Sequence, residues 1–131
     1  MTTVQEFPVR VYYEDTDFSG NVYHAAYLKF FERGRTEWLR SIGVHHSELA
    51  LRGLAFAVRR VTIEFHSAAH IDDLLLVTTG VASYSGARLS LEQAVVRDGE
   101  TLCEAKVEVV AITSEGRAAR LPAELTNRLK N

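Results

Sequence analysis

Between Tyr12 and His24 the chain gathers Glu14, Asp15 and Asp17, the turn-forming Ser19, Gly20 and Asn21, and then His24. Carboxylates beside a histidine suit proton transfer or nucleophilic attack. They stand where a strand pattern gives way to the longest helical pattern. Free N–H groups in the first turn of a helix favour negative charge at such a place. Each residue also has an ordinary explanation. On spacing alone Asp17 would serve equally as a helix cap and His24 as a packed, hydrogen-bonded histidine. Glu14 and Asp15 read as structural or exposed.

The flanking elements must position this stretch. Across residues 7–13, Val9, Val11 and Tyr13 alternate with Pro8, Arg10 and Tyr12, which predicts a strand. Residues 22–42 change to helical spacing, with Tyr23, Tyr27, Phe30, Phe31, Gly34 and Trp38 in one sector. Lys29, Glu32, Arg33, Thr36 and Arg40 lie opposite. Ser19 or Asn21 would cap the start, and Gly43 would end the helix in the left-handed conformation. A glycine inside a helix costs roughly 0.5–1 kcal/mol relative to alanine. Gly34 therefore points to a strand passing close to the helix.

After a short helical piece over residues 45–52, the period becomes two. Strands are predicted over residues 54–66, 73–84, 88–97 and 101–113. Ser85-Gly86 and Asp98-Gly99 are tight-turn signals. The last strand turns Cys103, Ala105, Val107, Val109 and Ala111 inward, small residues that suit a helix lying close. Residues 122–129 suggest a short final helix. One strand, one long helix and a four-strand meander make an α+β domain with an antiparallel sheet of about five strands.

The bulk properties exclude several classes. A chain of 131 residues is expected to form one domain, 1–131, burying about two-thirds of its extended surface. A net charge of −2 gives no reason to expect nucleic acid. Cys103 is the single cysteine, so no internal disulfide forms, and its neighbours favour an inert core thiol. His45, His46, His66 and His70 have no ligand spacing with a carboxylate or cysteine, so no metal is expected. The polar opening residues and the lack of a long apolar run imply neither a leader nor an integral membrane segment. A cytoplasmic location is the expectation.

The run Val9-Arg10-Val11-Tyr12-Tyr13-Glu14-Asp15-Thr16-Asp17, then Gly20, Val22-Tyr23-His24-Ala25 and Tyr27-Leu28, resembles the 4-hydroxybenzoyl-CoA thioesterase superfamily. Phe31-Glu32-Arg33 and Arg35-Thr36-Glu37-Trp38-Leu39-Arg40 resemble, more narrowly, its branch of acyl-CoA thioesterases associated with the bacterial Tol-Pal system. The likeness continues through Ala57-Val58-Arg59-Arg60 and Ile71-Asp72-Asp73. It implies the hotdog fold, in which the sheet wraps one long central helix. It also implies a homodimer or tetramer with sites at the subunit interface.

By this resemblance the chain hydrolyses an acyl-CoA thioester, most simply an aliphatic one, to free acid and CoA. Coenzyme A enters as part of the substrate, and no cofactor is implied. Asp17 matches the family's carboxylate, acting as nucleophile or as general base on water. The helix start around Val22, Tyr23 and His24 matches the site that polarises the carbonyl, and Gly20 gives the backbone clearance. His24 is a second catalytic candidate through its ring. Arg59, Arg60 and Arg88, with Lys106 and Arg117, are candidates for the CoA phosphates. The likeness leaves acyl carrier proteins and Tol-Pal-related proteins open as partners. Phe18, Ser19, Asn21 and Gly34 depart from the smaller or different residues expected of the branch, which touches substrate fit more than reactivity. A hotdog hydratase or dehydratase and a non-catalytic acyl-thioester-binding scaffold are the rival readings.

Overall fold

The computed structural model describes residues 4–130. Strand β1 (Gln5–Arg10) leads through a short turn into the long helix α1 (His24–Ser41) and the short α2 (His46–Leu51). Four strands follow, β2 (Leu54–Phe65), β3 (Leu74–Ser85), β4 (Arg88–Arg97) and β5 (Glu100–Thr113), and then α3 (Ala123–Leu129). All strand pairs are antiparallel, in the order β1-β3-β4-β5-β2.

That order corrects the expected four-strand meander. Only β3, β4 and β5 run as neighbours in sequence, while β2 crosses to the far edge beside β5 and β1 pairs with β3. One-sided alternation says which face of a strand is buried and nothing about its neighbour. Two-residue turns such as Asp98-Gly99, with both residues at positive φ, force adjacency. The longer connection over residues 66–73 does not.

Helix α1 lies on one face of the sheet and buries Tyr27, Phe30, Phe31, Trp38 and Leu39 against Val9, Leu75, Val77, Leu91, Val95 and Val107. Each fully buried aromatic side chain contributes about 2–3 kcal/mol. Gly34 has the reason anticipated for it. A Cβ there would come within 2.6 Å of Val77 Cγ1 and 3.2 Å of both Gln93 Nε2 and Thr79 Oγ1. The close strands are β3 and β4, not the small-residue strand β5. Gln93 occupies the register position between Leu91 and Val95, an inward polar residue that alternation alone passes over. It is 3 % exposed and satisfied, donating to Phe31 O and Thr79 Oγ1 while accepting from Arg35.

Two boundaries differ from the pattern. The first strand stops at Arg10, and Tyr13, expected inward, is 83 % exposed in a single 3-10 turn over Tyr13–Asp15. The buried Asp15 carboxylate accepts the Tyr12 N–H at 2.9 Å and bends the chain out of the sheet. Helix α1 begins at His24 with Tyr23 at its cap position and no side-chain cap. Neither Ser19 nor Asn21 caps it, because the Ser19 side chain is engaged by Asp17 and that of Asn21 by His70. Gly43 (φ +85°) ends the helix as expected.

Candidate active site

The Asp17 segment is a tight hairpin. Thr16 and Val22 form an antiparallel bridge, Asp17 N–H donates to Asn21 O at 2.9 Å, and Gly20 N–H donates to Asp17 O at 3.0 Å. Gly20 sits at φ +87°, where a side chain would strain the turn. The Asp17 side chain is exposed. One carboxylate oxygen, Oδ1, accepts both the backbone N–H of Ser19, at 2.8 Å, and the Ser19 hydroxyl. These bonds hold the carboxyl below its usual range, with the Ser19 hydroxyl the largest cause. The Asn21 amide adds a smaller lowering, and no hydrogen bond of ordinary length reaches the other oxygen, Oδ2, among the described residues. Asp17 is thus ionised, held from one side and open on the other.

The helix start divides into spent and unspent amides. Val22 N–H donates to Ala69 O at 2.9 Å, Tyr23 N–H to Asp15 O at 3.2 Å, and Ala26 N–H to Tyr23 O at 3.0 Å. Among the described residues no backbone acceptor meets the N–H of His24 or Ala25. Of the stretch named for the carbonyl, His24 together with Ala25 keeps donors free. The Val22 side chain is buried in the core and Tyr23 is half-buried against it. The His24 ring is exposed, packs edge-on against Phe65 with centroids 4.9 Å apart, and makes no hydrogen bond to Asp17. Two free N–H groups at the positive end of α1 can stabilise an oxyanion. A carboxylate close by in sequence can attack or activate water.

The remaining residues separate from this centre. Arg60 and Arg88 lie on the sheet face opposite α1, since their neighbours Val61 and Leu89 point to the core. Arg59 sits at a bulge in β2 and ion-pairs with Glu108. Arg88 reaches the same carboxylate at 4.0 Å. Lys106 shares this outer face, opposite Thr62 and Glu92, and Arg117 lies in the exposed turn after β5. Cys103 is buried, and burial pushes its thiol up to about 12. Among the described residues no three His, Cys, Asp or Glu side chains gather as metal ligands, and no helix is long and apolar enough to cross a membrane.

Three partners were invisible in the sequence. Ser19 and Asn21 read as caps, yet Ser19 serves Asp17, and Asn21 Oδ1 accepts from His70 Nδ1 at 2.8 Å. Phe65 belonged to a strand face, and its ring supports His24. Their residue types were ordinary for turns and strands. The only signal was that residues 18, 19 and 21 depart from the resembling branch.

A family model described as "Thioesterase-like superfamily" matches residues 11–129. The acyl-CoA thioesterase YbgC of Haemophilus influenzae is 48% identical over 107 residues, covering 81% of this chain and 79% of that protein. The acyl-CoA thioester hydrolase YbgC of Escherichia coli O6:H1 is 45% identical, covering 85% and 84%. A crystal structure of a probable thioesterase from Bartonella henselae superimposes with a TM-score of 0.88 at 46% identity, over 92% of this chain and all of that one.

Proposed function

The chain belongs to the thioesterase-like superfamily, and from that premise we propose that it hydrolyses acyl-CoA thioesters to free acid and CoA. The observation that carries the reading is that the hairpin leading into α1 presents an ionised, exposed carboxylate while the first two amides of that helix, His24 and Ala25, have no acceptor among the described residues. In the proposed step the thioester carbonyl oxygen lies against the His24 and Ala25 amides. Asp17 then acts through Oδ2. Either it attacks the carbonyl carbon and expels the CoA thiolate, leaving a mixed anhydride that water opens, or it takes a proton from the attacking water. One such amide is typically worth about 3–4 kcal/mol in the transition state. His24 contributes its backbone, and its ring forms a wall with Phe65 rather than a proton relay to Asp17.

The reading includes a second copy of the chain at the site. Strand β2 is an edge of the sheet, and an unpaired edge invites another strand. Leu28, Val58 and Phe65, on α1 and β2, are each close to half exposed. A partner across that edge would cover them and close the wall beside His24.

The test is thiol release from aliphatic and aromatic acyl-CoAs, using wild type and Asp17→Ala of equal thermal stability. Hydrolysis by wild type and its loss in the variant are expected. Full activity of Asp17→Ala would remove the catalytic assignment, and an inert wild type that still binds acyl-CoA would favour a binding module.

A further inference from the structure

Asp17's own contacts are all local, to Ser19, Gly20 and Asn21, so nothing it touches directly fixes the hairpin relative to α1. That task falls to the connection between β2 and β3. Val22 N–H donates to Ala69 O, Ile71 N–H donates to Gly20 O at 3.0 Å, and Asn21 forms an antiparallel bridge with His70. One side-chain bond joins the two segments, His70 Nδ1–H to Asn21 Oδ1 at 2.8 Å. His70 is itself tethered, its backbone N–H donating to Asp73 Oδ2 at 2.8 Å. Asp73 is held from the sheet by Arg97 of β4, also at 2.8 Å, and Arg97 donates in addition to Ala68 O. Burial raises the Asp73 carboxyl, but the His70 amide and the Arg97 guanidinium outweigh it and keep it below its usual range. The acceptor that anchors the strap is therefore charged.

We infer that Asn21 and His70 are positioning residues for Asp17, forming with Asp73 and Arg97 a polar strap that ties the reactive turn to the sheet. The inference rests on the proposed catalytic use of Asp17. Backbone bridges alone set the hairpin's register. The side-chain bond limits its rocking about Thr16 and Val22, which is the motion that would swing the open oxygen away from the His24 and Ala25 amides. An apolar residue at position 21 would keep the bridge and lose the strap. A misplacement of this kind lowers the rate of the chemical step and leaves ground-state binding of the substrate alone.

The experiment compares Asn21→Val, His70→Ala, the double variant and His70→Asn in acyl-CoA hydrolysis, with amide hydrogen exchange at Asp17 and Gly20. Each single variant should lose about fivefold in kcat, as fits one exposed hydrogen bond, with KM unchanged. The double variant should lose the same factor rather than its square, because both changes delete one interaction. His70→Asn, whose amide nitrogen stands where Nδ1 did, should recover most of the rate. Exchange at Asp17 should quicken in every variant that lacks the bond. Losses that multiply, a rise confined to KM, or unaltered exchange would overturn the strap. Asp17→Asn, assayed alongside, separates the two readings: retained hydrolysis there removes the catalytic role of Asp17, whereas its loss with unaltered exchange in the strap variants removes the strap alone.

Discussion

The start of α1 and its midpoint are built on opposite principles. At the midpoint Gly34 lets the helix backbone settle onto β3 and β4, and the buried Gln93 ties Phe31 to Thr79 and Arg35. Everything there is close-packed, and position follows from volume. At the start, Asp17 stands exposed on a hairpin, placed by hydrogen bonds from Ser19, Asn21 and the β2–β3 connection. In the proposed role the carboxylate has to stay ionised and open to a substrate, which burial in the core would prevent. Packing therefore positions the scaffold, and hydrogen bonds position the proposed reactive group.

The sharpest way to break this comparison is to change each region and read both activity and stability. Asp17→Asn should lower acyl-CoA hydrolysis by roughly 10²–10⁴-fold. Its urea-unfolding free energy should stay within about 0.5 kcal/mol of wild type, as for other exposed positions. Gln93→Leu should do the reverse. It leaves the buried Thr79 hydroxyl and the part-buried Arg35 guanidinium without their Gln93 partner at a cost of about 2 kcal/mol, with kcat little changed. If Gln93→Leu instead abolished catalysis at full stability, the division between the two regions would be wrong.

Gly34→Ala probes the close approach more gently. Better helix propensity offers up to about 1 kcal/mol, but the new methyl overlaps a stiff valine in a filled core, and overpacking costs about 1–3 kcal/mol. A net loss near 1 kcal/mol in chemical denaturation is expected. A gain would mean that β3 yields more easily than its packing implies.

The smallest effect concerns ionisation. Ser19 lowers the Asp17 pKa by bonding its charged form, so Ser19→Ala should raise it. The acid limb of the kcat/KM profile should then move to higher pH. Rates above about pH 6, where either carboxyl is ionised, should be unaffected. An acid limb that stays in place would show that Ser19 does not set the ionisation that matters.

Much of this was legible before any coordinates. The aromatic stripe on α1, the glycine that ends it, the inward face of β5 and the close approach at Gly34 are consequences of local periodicity, and each appears where the spacing places it. What went astray was non-local or depended on one competing bond. Tyr13 alternated correctly yet points outward, because the Asp15 carboxylate captures the Tyr12 amide and ends the strand early. Ser19 and Asn21 are good cap residues that another partner claimed first.

By itself, then, the amino-acid order determined the element types, the antiparallel α+β class and the singling out of Asp17 and the α1 start as the proposed site, since periodicity, turn chemistry and motif are all short-range. Only the tertiary structure decided that β2 sits at the far edge and that the His24 and Ala25 amides are unspent while those of Val22 and Tyr23 are not. It alone brought His70, 49 positions away, against Asn21. A donor's freedom and a distant partner's reach depend on where the rest of the chain comes to lie, which no local pattern encodes.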